Sequence, residues 1–392
     1  MRIGIVVPIF PEGVTSSELW LAYGLSTTGH QVTIYCSGFR GSRDRFFWQA
    51  GVHSENRFLR GITIVHVSSL PTPYTEGAVP LGLPQMLADR EDLLLIEEDY
   101  PPFSLVASVH ARRRSIPYFL TSERYGSIGP VTARVAIELL DHTLGPKLRE
   151  GARVLTFHST ASQEYFARMG APLERLRYIP SCTNCELFNP APVSPKTAEG
   201  REIPGRETVR LLTVARLHPA KGLGSLIQAV KILASRGRKI SLVIHGNGRQ
   251  GTKLESLVGS LGLKAVVKIE SARSPLESLP ALYKSADVYV QPSIVEPFGM
   301  AVVEAMACGL PIVASRTGGL MDSVLPGGNG YLVEPGNPSG IAGALDGLVS
   351  DPDLRVRMGA VSRRLAKERF DVVPVAKAYN QLIGSVLGEG RL

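Results

Sequence analysis

The chain has 392 residues, 44% of them hydrophobic and 20% charged. This is an ordinary globular composition, too long for one hydrophobic core and sufficient for two domains, and it excludes a disordered or fibrous protein. A formal charge of +8 favours anionic partners, phosphorylated ligands or an anionic lipid surface. No basic tail concentrates that charge, so nucleic acid is not expected among the partners.

Residues 2–9 read as a buried strand, too brief for the apolar core of a signal peptide. No run approaches the roughly 20 apolar residues that a membrane span needs. The expectation is a cytoplasmic protein, with peripheral contact to an anionic membrane left open. A loop at 11–13 carries Glu12 and Gly13, and a helix fits 17–28 with Leu19, Leu21, Ala22 and Leu25 on one face. Gly29 and His30 end it and 31–36 forms the next strand, the βαβ opening of a Rossmann-like domain. Residues 39–60 interleave Arg40, Arg43 and Arg45 with Phe46, Phe47, Trp48 and His53. That pattern suits a membrane surface or an acceptor sugar, and equally an irregular insertion whose aromatics pack beneath it. Strands follow at 61–67, 92–96 and 116–121, with a helix at 103–113. The third of these strands runs into Glu123, either a hydrogen-bond acceptor facing a ligand or a solvated loop residue. A strand at 154–157 and a Ser/Thr-capped helix to residue 168 complete the domain, which closes through 177–180. Cys182 and Cys185 form a lone Cys-x-x-Cys among four cysteines, and with no second pair they read as free thiols. The polar, proline-rich stretch 189–207 is a linker.

The second half opens with a strand at 209–214, followed by Arg216 and Lys221, and a helix at 225–235. Two cations five residues apart at the carboxyl end of a strand suit a diphosphate, the arginine as a bidentate donor and the lysine as a point charge. After a strand at 240–245, Gly246-Asn247-Gly248-Arg249-Gln250-Gly251 is a literal Gly-x-Gly-x-x-Gly. Glu270 ends the strand 265–269 nineteen residues later, so the pattern superficially fits a dinucleotide fingerprint and an oxidoreductase. A helix at 276–286 leads to a short strand at 288–290 and a loop holding Glu296 and Pro297. A helix begins near 298–300, Gly309 and Pro311 stop it, and 311–314 is the next strand before the Gly318-Gly319 turn. The N–H groups of Phe298, Gly299 and Met300 at that helix start are suited to phosphate or sugar oxygens. Glu296 and Glu304 are placed to accept hydrogen bonds from two parts of one polyhydroxyl ligand; the alternatives are a helix N-terminal charge and a solvated helix residue. A turn at 326–330, a strand at 331–333 and helices at 338–349, 354–368 and 372–387 end the chain.

The run Glu-Pro-Phe-Gly-x4-Glu-Ala-Met-Ala-Cys-Gly-x-Pro-Ile-Val-Ala, from Glu296 to Ala314, resembles the signature of the family 4 glycosyltransferases. These are retaining enzymes of the GT-B fold. Ala215-Arg216-Leu217-x3-Lys221-Gly222 is similar to the family's Gly-Arg-Leu-x3-Lys-Gly, and Leu21-Ala22 through Gly29-His30 match its N-terminal helix. The resemblance implies an α/β chain with two Rossmann-like doubly wound domains facing across a cleft. The first would span 1–188 and be joined by a final helix at 371–388; the second would span 205–368. It implies a hexosyltransferase that moves a hexose from a UDP- or GDP-sugar to a glycan, lipid-linked or small-molecule acceptor. No cofactor is implied beyond the nucleotide-diphosphate sugar as co-substrate, and no metal. By the same resemblance Glu296 holds the donor sugar, Glu304 the ribose and 298–300 the sugar and phosphate oxygens. Arg216 and Lys221 neutralise the leaving diphosphate, and Gly246 and Gly248 lie beside the base. Two departures stand out: the family's Gly-Gly loop has become Glu12-Gly13, leaving Gly13 to admit a ligand, and Glu123 stands where a histidine often faces the sugar. The departures also keep open a catalytically silent nucleotide-sugar-binding protein.

Overall fold

The computed structural model describes residues 1–8, 10, 15–37, 59, 61–71, 78–83, 87, 91–97, 102–124, 135, 138–139, 141–190, 208–272 and 274–388. Contacts divide the chain into two units, Met1–Cys182 with Val372–Leu392, and Thr183–Asp371.

In the first unit the described strands are β1 (Arg2–Val7), β2 (Gln31–Ser37), β3 (Thr63–Val67), β4 (Ser69–Pro71), β5 (Ala78–Pro80), β6 (Leu93–Glu97), β7 (Tyr118–Ser122), β8 (Val154–Phe157) and β9 (Leu176–Tyr178). Its helices are α1 (Ser17–Thr27), α2 (Pro102–Arg113), α3 (Gly145–Gly151) and α4 (Thr160–Arg168). Seven strands form one parallel sheet in the order β3-β2-β1-β6-β7-β8-β9, while β4 and β5 pair antiparallel. Strands such as Leu93–Glu97 are buried along their whole length, as a sheet covered on both faces requires. Ser16 caps α1, its hydroxyl accepting from Leu19 N at 3.2 Å. Gly24 of α1 faces the far end of the chain. A Cβ there would stand 2.8 Å from Val372 Cγ2 and 2.9 Å from Ala376 Cβ, so glycine lets the last helix pack close.

In the second unit the strands are β10 (Val209–Val214), β11 (Ile240–His245), β12 (Val267–Glu270), β13 (Val288–Gln291), β14 (Ile312–Ser315) and β15 (Gly330–Val333). The helices are α5 (Leu223–Ser235), α6 (Gly251–Ser260), α7 (Leu279–Lys284), α8 (Met300–Ala307), α9 (Leu320–Ser323), α10 (Pro338–Ser350) and α11 (Pro352–Leu365). A π turn at Ala366–Phe370 follows, and α12 (Val372–Leu387) belongs to the first unit. The sheet runs β12-β11-β10-β13-β14-β15, all parallel. Its core includes Leu211, Leu226, Ile227, Val230, Leu242, Ile244, Val290 and Val313, each at most 1% exposed.

Several elements differ from the sequence reading. Helix α6 begins inside the glycine-rich stretch; its signal was Leu254 and Val258, both buried at helical spacing. The segment 183–188 belongs to the second unit although the sequence placed the end of the first domain at 188. Thr183 N donates to Phe370 O at 2.8 Å, and the Phe188 ring lies 5.8 Å from that of Tyr283. In both sheets the strand order reverses beside the first strand, between β1 and β6 and between β10 and β13. Loops leaving the carboxyl ends of strands at such a reversal are where open α/β sheets bind ligands.

Candidate functional site

At the reversal in the second unit, β10 lies beside β13, with Leu211 opposite Val288 and Leu212 opposite Tyr289. The loop after β10 tightens into a 3-10 turn at Pro219–Lys221, where His218 Nδ1 accepts from Ala220 N at 3.2 Å. Gly222 then turns left-handed, with φ at 62°. A Cβ at that position would lie 2.0 Å from Pro292 O, so only glycine permits the two backbones to meet. Ala220 O accepts from Ile294 N at 2.8 Å and Val295 N at 3.2 Å, which stitches the loop after β10 to the loop after β13. The stitching brings Lys221 Nζ to 2.8 Å from Glu296 Oε1 and 2.7 Å from Oε2. The sequence placed both residues in the site but not as partners of each other.

Glu296 is only 6% exposed, and a carboxylate that far from water needs donors. Besides Lys221, Gln291 Nε2 donates to its Oε2 at 2.9 Å and Ser293 Oγ at 2.8 Å. Gln291 Nε2 also lies 2.9 Å from Ser293 Oγ, and Tyr289 OH lies 2.7 Å from Gln291 Oε1. The sequence reading missed Tyr289, Gln291 and Ser293. A glutamine closing the apolar run Val288-Tyr289-Val290 was the available signal, because a polar side chain buried at a strand end requires a partner.

Beyond Glu296 the chain enters α8. Gly299 is left-handed (φ 100°, ψ 55°), and Gly319 N donates back to Glu296 O at 3.2 Å and Pro297 O at 3.0 Å. A Cβ on Gly319 would come within 2.6 Å of Pro297 O, so the Gly318-Gly319 turn closes over the helix start at backbone distance. The Phe298 side chain is buried and meets the Phe370 ring at a centroid distance of 5.9 Å, leaving the backbone of Phe298, Gly299 and Met300 as this segment's contribution to a site. Glu304 is 1% exposed, and Tyr283 OH donates to its Oε2 at 2.6 Å, so it is not a solvated helix residue.

Gly246 and Gly248 lie against the same region. A Cβ on Gly246 would be 1.9 Å from Ala215 O, and one on Gly248 would be 2.5 Å from Leu217 O. Leu217 N donates to Asn247 O at 2.9 Å and Gln250 N to Leu217 O at 3.1 Å. These glycines therefore admit the backbone around Arg216, which prolongs the contact between β10 and β11. Glu270 is engaged by Lys268 Nζ at 2.6 Å and His245 Nδ1 at 3.2 Å, not set apart for a ribose. Arg216 itself is exposed at the end of β10.

In the first unit, Glu123 follows β7 half-buried, its Oε1 accepting from Ser181 Oγ at 3.0 Å. The adjacent Arg124 is buried in a bidentate pair with Asp141, at 2.7 and 2.6 Å, which anchors the segment after β7. Glu18, in the first turn of α1, has its carboxyl raised above the ordinary 4.5, first by burial and then by the charge of Glu123. Burial pushes His158 below its ordinary 6.5, with Nδ1 held 2.6 Å from Ile179 O. Gly13 and nearly all of 39–60 lie outside the described residues. Cys182 and Cys185 are buried free thiols, and burial pushes the Cys185 thiol up to about 12, away from redox reactivity. Among the described residues, no helix is long and apolar enough to cross a membrane, and no group of three His, Cys, Asp or Glu could hold a metal ion.

Two families match, "Glycosyl transferases group 1" over residues 198–365 and "Glycosyl transferase 4-like domain" over 12–182. The chain is 30% identical over 266 residues to the alpha-D-kanosaminyltransferase of Streptomyces kanamyceticus, covering 67% of this chain and 68% of that protein. The chain belongs to the family 4 glycosyltransferases. It is 27% identical over 379 residues to a GDP-mannose-dependent alpha-(1-6)-phosphatidylinositol monomannoside mannosyltransferase of Mycolicibacterium smegmatis, covering 93% of this chain and 94% of that one. Among solved structures it resembles sucrose-phosphate synthase of Thermosynechococcus elongatus, with TM-score 0.76 at 19% identity, covering 98% and 99% of the two chains. It also resembles the Anabaena protein HepE in complex with UDP and glucose, with TM-score 0.74 at 21% identity, covering 98% and 100%. The two parallel-sheet units are thus those of the GT-B fold, and this family 4 member is a hexosyltransferase.

Proposed function

We propose that this hexosyltransferase moves a hexose from a nucleoside-diphosphate sugar to a glycan, lipid-linked or small-molecule acceptor, with retention of anomeric configuration and without a metal ion. The observation that carries the reading is the convergence of Lys221 and Glu296 at the carboxyl ends of β10 and β13, beside the start of α8. Exposed Arg216 and the Lys221 ammonium supply positive charge where a diphosphate gains negative charge on leaving. Glu296 accepts hydrogen bonds from sugar hydroxyls, and backbone N–H groups of 298–300 take up sugar and phosphate oxygens. Gly246 and Gly248 hold the base side by fixing the backbone around Arg216. Glu304 is assigned to the ribose, and because a carboxylate accepts at two oxygens, the Tyr283 bond to Oε2 is compatible with a sugar hydroxyl.

In this reading the first unit takes the acceptor, with Gly13 assigned to its loop by the resemblance, and Glu123 faces the sugar as a hydrogen-bond acceptor in place of the family's histidine. The acceptor hydroxyl attacks the anomeric carbon from the side on which the glycosyl–phosphate bond breaks. The departing phosphate oxygen takes the hydroxyl proton, so the products are the glycoside and the nucleoside diphosphate. The formal charge of +8 supports peripheral contact with an anionic membrane, on the cytoplasmic side in this reading. Among the similar proteins, one is named for GDP-mannose and one was solved with UDP-glucose, so both bases enter the donor panel.

A thermal-shift panel of UDP- and GDP-sugars tests the donor, because a ligand that binds only the folded chain raises its melting temperature by mass action. Transfer followed by NMR of the anomeric proton should show retention and should survive excess EDTA. No shift with any donor, an inverted product, or turnover lost to EDTA and restored by manganese would each overturn the corresponding part.

A further inference from the structure

We propose that Gln291 and Ser293 are positioning residues that aim the Glu296 carboxylate at the donor sugar, with Tyr289 orienting Gln291. The inference rests on the reading of Glu296 as the sugar-holding residue. Gln291 is 2% exposed and Ser293 is fully buried. Both side chains direct a donor to the same oxygen, Glu296 Oε2, which also accepts from Lys221 at 2.7 Å. Three donors on one oxygen set the plane of the carboxylate as well as its place. A lysine alone, a point charge on a flexible stem, would set neither.

The amide orientation of Gln291 follows from its surroundings. Turned over, its carbonyl oxygen would face a carboxylate, whereas as placed it meets the Tyr289 hydroxyl at 2.7 Å. With its one proton given to Gln291, Tyr289 is held in turn at the end of β10 by its hydroxyl oxygen, which accepts from Val214 N at 3.4 Å. The relay therefore runs from the backbone of β10 through Tyr289 and Gln291 at the end of β13, with Ser293 in the loop just beyond it, to Glu296. A buried strand end with only a packing role would be served by apolar side chains, which leave no polar group to satisfy. Donors grouped around one acidic oxygen serve to hold that oxygen in a fixed direction, as a contact that must be correct at the moment of transfer requires.

A bare nucleoside diphosphate has no sugar to meet Glu296, so the relay should govern turnover and leave diphosphate binding alone. The test compares Gln291→Met, Ser293→Ala, Ser293→Thr and Glu296→Gln for hydrolysis of UDP-glucose or GDP-mannose, whichever stabilises the chain. Calorimetry with UDP or GDP and thermal melts accompany it. Gln291→Met and Ser293→Ala should each lower kcat about 10-fold, the scale of one lost hydrogen bond to a charged group, while diphosphate affinity stays within about twofold. Ser293→Thr, which keeps the hydroxyl, should restore most of the turnover lost in Ser293→Ala. Wild-type kcat in Gln291→Met and Ser293→Ala beside an impaired Glu296→Gln would overturn the relay and leave the role of Glu296 standing. Full kcat in Glu296→Gln would instead overturn the reading beneath it. Parallel loss of diphosphate affinity, melting temperature and kcat would mark a general loosening and reject a positioning role.

Discussion

Glu296 and Glu18 both stand past the carboxyl ends of parallel strands, Glu296 after β13 and Glu18 in the first turn of α1, which follows β1. Their electrostatic company is opposite. Glu296 faces an ammonium and two neutral donors within 2.9 Å, so its buried charge is compensated in place. Glu18 loses water and faces the carboxylate of Glu123, and both effects raise its carboxyl; the opposing influence of His158 comes last among the causes. The same side chain beyond the ends of parallel strands thus meets a cation and hydrogen-bond donors in one unit, and in the other meets burial and a second carboxylate that favour its protonated form. A carboxylate ringed by donors is held in one orientation for acceptance from sugar hydroxyls, and an acid that holds its proton more tightly can also donate. Sheet topology assigns these positions, and the neighbouring loops assign the chemistry.

The largest break in this comparison is Lys221→Met. It leaves Glu296 buried without its cation, and the expected loss is about 3–5 kcal/mol of stability in a denaturant or thermal melt. Adding Glu296→Gln to that variant should restore most of the stability and none of the transfer activity. Restoration of both would show that the pair is structural only.

Next in size is Arg216→Ala. Removing a charge-assisted contact should weaken nucleoside-diphosphate binding by about 1.5–3 kcal/mol while leaving the nucleoside nearly unaffected. Because Arg216 is exposed, the melting temperature should hardly move. Equal losses for diphosphate and nucleoside in calorimetry would remove Arg216 from the phosphate site.

Glu304→Gln sharpens the comparison with a carboxylate of a third kind, enclosed and bonded to a buried phenol. The amide oxygen can still accept from Tyr283, so stability should fall by only about 1 kcal/mol. If Glu304 reaches the ribose, nucleoside and nucleotide-sugar should lose affinity alike. A change in melting temperature with unchanged nucleoside affinity would confine Glu304 to the core of α8.

The smallest effect expected is that of Glu18→Gln, and its sign depends on pH. A carboxyl raised above its ordinary 4.5 means that the folded chain holds the proton more tightly than the unfolded one. Its contribution to stability is therefore complete below 4.5 and is lost as pH rises through the raised folded value. The variant, which cannot ionise, should melt higher than the parent at neutral pH, and the gap should close on acidification towards pH 4. A gap independent of pH would show that packing, not the charge of Glu18, is responsible.

Much of this protein was legible in one dimension because it depends on short-range pattern. The buried run of β1, the Arg216–Lys221 spacing and the Glu296–Gly309 signature each lie within one strand–loop–helix unit, where residue type and local geometry are directly tied. The Gly-x-Gly-x-x-Gly at 246–251 shows the limit of such patterns. Glycine reports that something approaches the backbone, and only the fold revealed that Ala215 O and Leu217 O do so at Gly246 and Gly248. Helix α6 escaped notice for the same reason, its start overlapping glycines read as a loop. The meeting of Lys221 with Glu296, 75 positions apart, was likewise decided in three dimensions. It depends on β10 and β13 being neighbours and on Gly222 leaving room for Pro292 O. The sequence by itself determined which side chains were available to a site. Which of them neutralise one another was settled by tertiary structure, because charge compensation in a buried place depends on distances of a few ångströms that no spacing along the chain specifies.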